Sequence, residues 1–135
     1  ELVLPEDVIV TDTISKDAAA ISCSIDSIPA DKQIVDIGPT TTSRYCDILK
    51  QSRTVFWNGP MGVVEIEQFA GGTKSIAQLL PLLNAITVIG GGSTAETVEN
   101  LGIADKVSFV STGGGASMEF LGGEQLPGVT ALMDR

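Results

Sequence analysis

The sequence predicts an α/β fold, a parallel Rossmann-like sheet of about four to five strands with helices on both faces. Two observations predict it. Short β-branched runs alternate with stretches of helical period, and those runs are apolar on both faces, as strands are when helices cover them from two sides. At 135 residues, 43% hydrophobic and 19% charged, the chain has the size and composition of one compact domain rather than a disordered segment. Aromatic residues make up only 4%, so aliphatic side chains must fill the core.

The elements follow in order. Residues 8–10 read as a strand. Residues 12–29 show no helical period and read as loop with a possible short strand at 20–24. A turn around Pro29 lies between Asp26 and Asp31. Residues 34–37 form the next strand and 41–51 a helix. Residues 54–57 are again strand. The helix at 73–83 places Ile76, Leu79, Leu80 and Leu83 on one face, with Thr73 as its N-cap, and Pro81 should bend or shorten its last turn. Residues 86–89 are strand and 93–101 helix, with Ser93 and Glu96 as a capping box and Gly102 closing the C-terminus. A strand at 107–110 precedes a helix running from near Gly115 to near Gly122. From Ile34 onward this order implies parallel strands joined by right-handed crossovers. Residues 124–135, opened by Pro127-Gly128, read as a tail extending beyond the core.

Composition excludes several classes of function. A net charge of −9 with eight Lys plus Arg disfavours nucleic acid and anionic membranes. The longest apolar run, 76–83, is interrupted by Gln78 and Pro81 and is too short to span a bilayer. The absence of histidine removes the commonest general base and metal ligand. Cys23 and Cys46 suit a reducing, cytoplasmic compartment better than a disulfide framework, and each is expected to be a small buried hydrophobe. No signal or transit pattern opens the chain. Glu1, with no Met and an apolar stretch close behind, reads as a cut within a larger protein.

The positions of the glycines point to chemistry. Four predicted strands each end in a loop rich in Gly or Pro: Gly38-Pro39, Asn58-Gly59-Pro60-Met61-Gly62, Gly90-Gly91-Gly92 and Ser111-Thr112-Gly113-Gly114-Gly115. In a parallel sheet such loops share the carboxyl edge, where open α/β folds bind ligands. Two of them run directly into helices. Helix starts offer unpaired N–H groups and a partial positive charge, and glycine lets a phosphate approach the backbone. Ser93, Thr94 and Thr112 can add hydroxyl donors. For any one loop a tight turn is the competing reading; two triple-glycine loops on one edge favour an anion site. The basic residues Lys16, Lys32, Arg44, Lys50, Arg53, Lys74, Lys106 and Arg135 all lie outside the four loops. Charge compensation for a polyphosphate must therefore come from Mg²⁺ or from a segment outside this chain.

Two motif matches compete with that reading. Residues 90–95 satisfy G-x-G-x-x-[GA], but Val110 is followed by Ser111-Thr112 and not by the acid that would bind a ribose in a dinucleotide site. Gly71-Gly72-Thr73-Lys74-Ser75 lacks the glycine spacing of a P-loop.

The residues also carry a family resemblance. Trp57-Asn58-Gly59-Pro60-Met61-Gly62-Val63-Val64-Glu65 resembles the W-N-G-P-M-G-V-F-E string of phosphoglycerate kinases. Asp36-Ile37-Gly38-Pro39 is similar to their D-I-G-P turn, and residues 90–94 to their G-G-G-D-[ST]. Residues 111–117 with Glu119-Phe120-Leu121 resemble S-T-G-G-G-A-S-[LM]-E-[LF]-L, and Leu126-Pro127-Gly128-Val129 resembles the closing L-P-G-V. The matches keep the family's order across essentially the whole chain. The resemblance implies that residues 1–135 are the C-terminal portion of the nucleotide-binding lobe, a partial domain of a two-lobed, monomeric kinase. Such an enzyme moves a phosphoryl group between 1,3-bisphosphoglycerate and Mg²⁺-ADP, giving 3-phosphoglycerate and Mg²⁺-ATP.

By the same resemblance Glu65 binds the ribose, Pro60 and Val63 pack near the adenine, and Asn58 lies near the phosphates. Gly91, Gly92, Ser93 and Thr94 line the phosphates, while Gly92, Gly113, Gly114 and Gly115 face the transferred group. Plainer roles stand beside these: Glu65 as a solvated acid, Asn58 as a turn former, Trp57 as core packing. Ser93 occupies the family's usual Asp position beside Mg²⁺, so no metal ligand is assigned. The family's 3-phosphoglycerate lobe, catalytic lysines and first glycine-rich adenine loop precede the matched segment, so the isolated chain is expected to be inactive. The alternative is a non-catalytic nucleotide- or phosphate-binding α/β module.

Overall fold

The structure is a computed structural model that describes residues 1–132; residues 133–135 of the expected tail lie outside the described residues. Strands β1 (Asp7–Thr11), β2 (Ile21–Ser24) and β3 (Gln33–Ile37) form an antiparallel sheet in the order β2-β1-β3. Strands β4 (Thr54–Asn58), β5 (Ile86–Gly90) and β6 (Phe109–Ser111) form a parallel sheet in the order β4-β5-β6. The helices are α1 (Pro39–Lys50), α2 (Gly71–Leu79), α3 (Gly92–Asn100), α4 (Gly114–Leu121) and the short α5 (Pro127–Thr130).

The α/β class is as expected, but the parallel part has three strands and not four to five, because β3 belongs with β1. The excursion through β2 is short and returns the chain antiparallel to β1. Val8 and Val10 of β1 and Val35 of β3 are then all buried. The outer side of β3 is also engaged, since the Val63 N–H donates to the Val35 carbonyl at 2.9 Å. Apolar periodicity marks a strand without naming its partner, so β3 and β4 looked alike.

The parallel sheet alternates as a strand must. Val55, Trp57 and Ile89 face a core completed by Ile76, Ala77 and Leu80 after β4 and by Val98 and Ile103 further on. The opposite side carries Phe56, Val88 and Phe109. Among the described residues, α4 and the segment after it border that side, along an apolar cleft of about 410 Å³.

Three local expectations are corrected. Thr73 does not cap α2, which starts two residues earlier; it is fully buried and its hydroxyl accepts the Met61 N–H at 2.9 Å. Ser93 and Glu96 form no capping box, because the N-cap is Gly91 and Ser93 lies inside the first turn. The last strand begins two residues later than read, at Phe109. Next to it Thr87 and Ser108 pair through their side chains, each hydroxyl accepting the other residue's N–H at 3.1 Å, so the backbone ladder starts beyond them.

Other expectations hold. Pro81 ends α2 at Leu79 and places residues 80–82 in a 3₁₀ turn. Gly102 closes α3 with φ 65, donating to Glu99 while Ile103 donates to Val98, the Schellman pattern. Both cysteines are free and half-buried rather than buried: Cys23 lies on the outer strand β2, and Cys46 on the flank of α1 against the core. Burial raises the Cys46 thiol above its ordinary pKa.

Candidate functional site

Each helix leaves N–H groups unpaired at its start, and the four longer helices satisfy them differently. At α1 the Asp7 carboxylate reaches across from β1. It accepts from the N–H of Thr40 at 3.0 Å and of Thr41 at 2.7 Å, and from the Thr41 hydroxyl at 2.7 Å. Burial alone would raise its pKa, but these hydrogen bonds outweigh burial and hold it below the ordinary value. At α2 the buried Asp36 carboxylate accepts from Gly72 N–H at 2.8 Å and from Ile37 N–H at 2.9 Å. Here burial is the larger effect, and the Asp36 pKa lies above the ordinary value despite those bonds. These two helix starts are filled by the protein's own anions.

The starts of α3 and α4 are not. Neither has an acidic residue in its first turn or a side-chain cap. Among the described residues, the N–H groups of Gly92, Ser93 and Thr94 on α3, and of Gly115 and Ala116 on α4, have no protein acceptor. The two starts abut. A Cβ on Gly114 would lie 2.9 Å from Gly91 Cα and 2.8 Å from Asn58 Oδ1, so only glycine permits this approach. Gly91 has φ 93, a backbone that side chains rarely adopt, and its N–H donates to the Ser111 carbonyl at 3.0 Å. Asn58, at the end of β4, sits between the two loops. The Gly59 N–H donates to the buried Thr94 hydroxyl at 2.8 Å, tying β4 to α3. At α4 the Ser111 and Ser117 hydroxyls lie 3.0 Å apart and Ser111 accepts the Gly113 N–H.

The residues singled out from sequence thus fall into two neighbouring groups. Asn58, Gly91, Thr94 and Gly114 are brought into contact along the carboxyl edge of the parallel sheet, with Gly92, Gly113 and Gly115 beside them in the same loops. Glu65 and Ser93 open instead on a cleft of about 360 Å³ between the loop after β4 and the helices α2 and α3. Glu67, Lys74, Glu96 and Thr97 also line it, and Lys74 forms an ion pair with Glu67. Pro60 and Val63 are half-buried and do not line this cleft; Val63 is bound to β3, and its neighbour Val64 occupies the wall. Trp57 is 6% exposed and packs in the core, as its plainer reading had it. Gly38-Pro39 heads α1, where a Cβ on Gly38 would strike the Asp7 carboxylate, so this loop offers no open anion site.

Sequence reasoning missed Asp7 and Asp36 as caps because each partner lies more than thirty residues away. It also placed every basic residue away from the site, whereas Lys74 reaches the cleft from α2. For Mg²⁺ the donor set is sparse. Among the described residues no three His, Cys, Asp or Glu side chains converge, and the rim presents N–H donors, which repel a cation. Ser93 and Asn58 supply only neutral oxygens. The arrangement suits an anion that brings its own cation.

The comparisons with known proteins agree with one another. The family model described as phosphoglycerate kinase matches residues 1–124. A phosphoglycerate kinase of Herpetosiphon aurantiacus is 49% identical over 135 residues, all of this chain and 34% of the relative. The solved phosphoglycerate kinase of Coxiella burnetii superposes with a TM-score of 0.86 at 42% identity, covering 94% of this chain and 33% of that one. The phosphoglycerate kinase of Pyrococcus horikoshii OT3 gives a TM-score of 0.80 at 35% identity, covering 95% of this chain and 31% of that one. The chain therefore spans about a third of the length of the relatives it matches.

Proposed function

The chain belongs to the phosphoglycerate kinase family, and from that premise we propose that residues 1–135 form the C-terminal portion of the nucleotide-binding lobe of such an enzyme. The whole enzyme would transfer a phosphoryl group reversibly between 1,3-bisphosphoglycerate and ADP, giving 3-phosphoglycerate and ATP, as a cytoplasmic monomer. One observation carries the reading: of the four longer helices, the two whose starts hold no internal carboxylate are the two that abut through glycine, while the other two are filled by Asp7 and Asp36.

This chemistry suits what the residues offer. Phosphoryl transfer calls for positioning and charge stabilisation rather than a proton shuttle, so a chain without histidine can serve it. The free N–H groups of Gly92, Ser93 and Thr94 would hold phosphate oxygens of the nucleotide. Those of Gly115 and Ala116 would face the group in transfer, with Gly113 and Gly114 shaping the loop. Asn58 would orient the phosphates from between the loops. Glu65, at the mouth of the cleft, would hydrogen-bond the ribose, and Pro60 and Val63 would back the adenine. Mg²⁺ would neutralise phosphate charge when bound, held by the phosphates with Ser93 as its nearest protein hydroxyl. The tail from residue 124, as far as residue 132, would lead towards the rest of the enzyme.

The 3-phosphoglycerate site and its basic residues would come from the two thirds of the relatives that this chain does not match. A coupled assay of the chain alone is therefore expected to show no ATP formation, and calorimetry with Mg²⁺-ADP is expected to show weak binding. ATP formation by the chain alone would contradict the reading. A non-catalytic phosphate-binding module shares the open helix starts; it predicts equal affinity for inorganic phosphate and ADP, because Glu65 and the cleft would then contribute nothing.

A further inference from the structure

Asn58-Gly59, at the end of β4, is the only Asn-Gly step in the chain. Such steps lose ammonia spontaneously more readily than other asparagine steps, because glycine leaves its own amide nitrogen free to approach the asparagine Cγ. Asn58 is exposed to water. Space does not restrain the following residue: Gly59 has φ 91, and no atom beyond its chain neighbours lies within 4 Å of where its Cβ would be. Two other features do. Asn58 pairs with Gly90 in the parallel ladder, and the Gly59 N–H is donated to the Thr94 hydroxyl at 2.8 Å. Thr94 is fully buried on α3 and is not free to swing away.

We propose that the Thr94 hydroxyl protects the Asn58-Gly59 peptide from succinimide formation, so that Asn58 is a latent deamidation site opened only when β4 and α3 part. In the open state the Gly59 amide nitrogen gives its proton to water or hydroxide and attacks Asn58 Cγ. The bond from Cγ to the side-chain nitrogen breaks, and ammonia leaves with a proton. Water then adds to one carbonyl of the five-membered imide and opens it to aspartate or isoaspartate. Water is the one co-reactant, and nothing is oxidised or reduced. The product puts a carboxylate between the two glycine loops, where Asn58 Oδ1 now lies 3.0 Å from the Cβ position of Gly91 and 2.8 Å from that of Gly114. A negative charge there would compete for the helix starts with any anion. The protection itself holds whichever anion binds.

The test incubates the full chain and its Thr94→Val and Thr94→Ser variants at mildly alkaline pH, followed by cleavage after Arg53 and Lys74. The peptide 54–74 contains Asn58 and no other asparagine, and Asn84 and Asn100 serve as internal clocks. Mass spectrometry is expected to show Asn58 converting several-fold faster in Thr94→Val, near the parent rate in Thr94→Ser, with both clocks unchanged. Equal Asn58 rates in all three proteins would overturn the proposal. If Thr94→Val speeds all three asparagines together, it has unfolded, and Thr94→Ala against Thr94→Ser decides. A faster Asn58 in Thr94→Ala, relative to the clocks, supports the proposal, and equal rates in that pair overturn it.

Discussion

Asp7 and Asp36 cap their helices through the same kind of contact but respond oppositely to pH. Asp7 has a lowered pKa in the folded chain, because hydrogen bonds from Thr41 and Thr40 outweigh its burial. The stability it contributes is present above the unfolded pKa and is lost as pH falls through the folded one. Asp36 has a raised pKa, because burial outweighs the amides of Gly72, Ile37 and Gly71. Its contribution is present below the unfolded pKa and is lost as pH rises through the folded one. Urea unfolding across the acid range should therefore separate two variants. Asp7→Asn is expected to flatten the loss of stability on acidification, and Asp36→Asn the loss on raising pH; parallel curves for both would refute these assignments. Asp7→Ala should cost about 1 kcal/mol or more at neutral pH through the lost cap. At the rim, Gly114→Ala would drive a methyl against the Gly91 backbone. Forcing the loops apart should cost about 1–3 kcal/mol of stability in urea unfolding and reduce Mg²⁺-ADP binding below detection.

Among the elements, the loop after β4 is held by contacts that its own sequence does not display. Met61 donates to Thr73 on α2, Val63 to Val35 on β3, and Gly59 to Thr94 on α3. Thr73→Val leaves the Met61 N–H without an acceptor, at about 1–3 kcal/mol. Hydrogen exchange at Met61 should speed up while the amides of β5 stay protected. Most elements were legible because each keeps one period: apolar runs gave β1, β3, β4 and β5, and Ile76 marked the buried face of α2, with Leu80 continuing it into the 3₁₀ turn that follows. Pairing was not legible, since β3 joins β1 through register and not through composition. Helix starts were misread for a related reason. Thr73 and Ser93 are good N-cap residue types, but Gly91, with φ 93, sets the start of α3, and Asp36 reaches α2 from another strand. The site was legible to the extent that it is built from local glycine loops; Lys74 entered it through tertiary packing alone.

At the scale of the molecule, one side of the parallel sheet is packed and the other open. Phe109, Phe120 and Leu121 are 62%, 68% and 61% exposed along the open side. A contiguous apolar surface of this kind promotes association. Sedimentation should show the chain associating as its concentration rises, and Phe109→Ser should weaken that association; a strictly monomeric parent would contradict the expectation. The net charge of −9 makes the candidate rim the more telling feature, since an acidic chain holds the open N–H groups of two helix starts side by side at one edge. The most direct measurement is an NMR titration with Mg²⁺-ADP, following backbone amides. Shifts are expected at Gly92, Ser93, Thr94, Gly115 and Ala116, with Thr40, Thr41 and Gly72 unmoved under their carboxylate caps. Shifts confined to the starts of α1 and α2, or spread without preference over all four helix starts, would contradict an anion site between the two glycine loops.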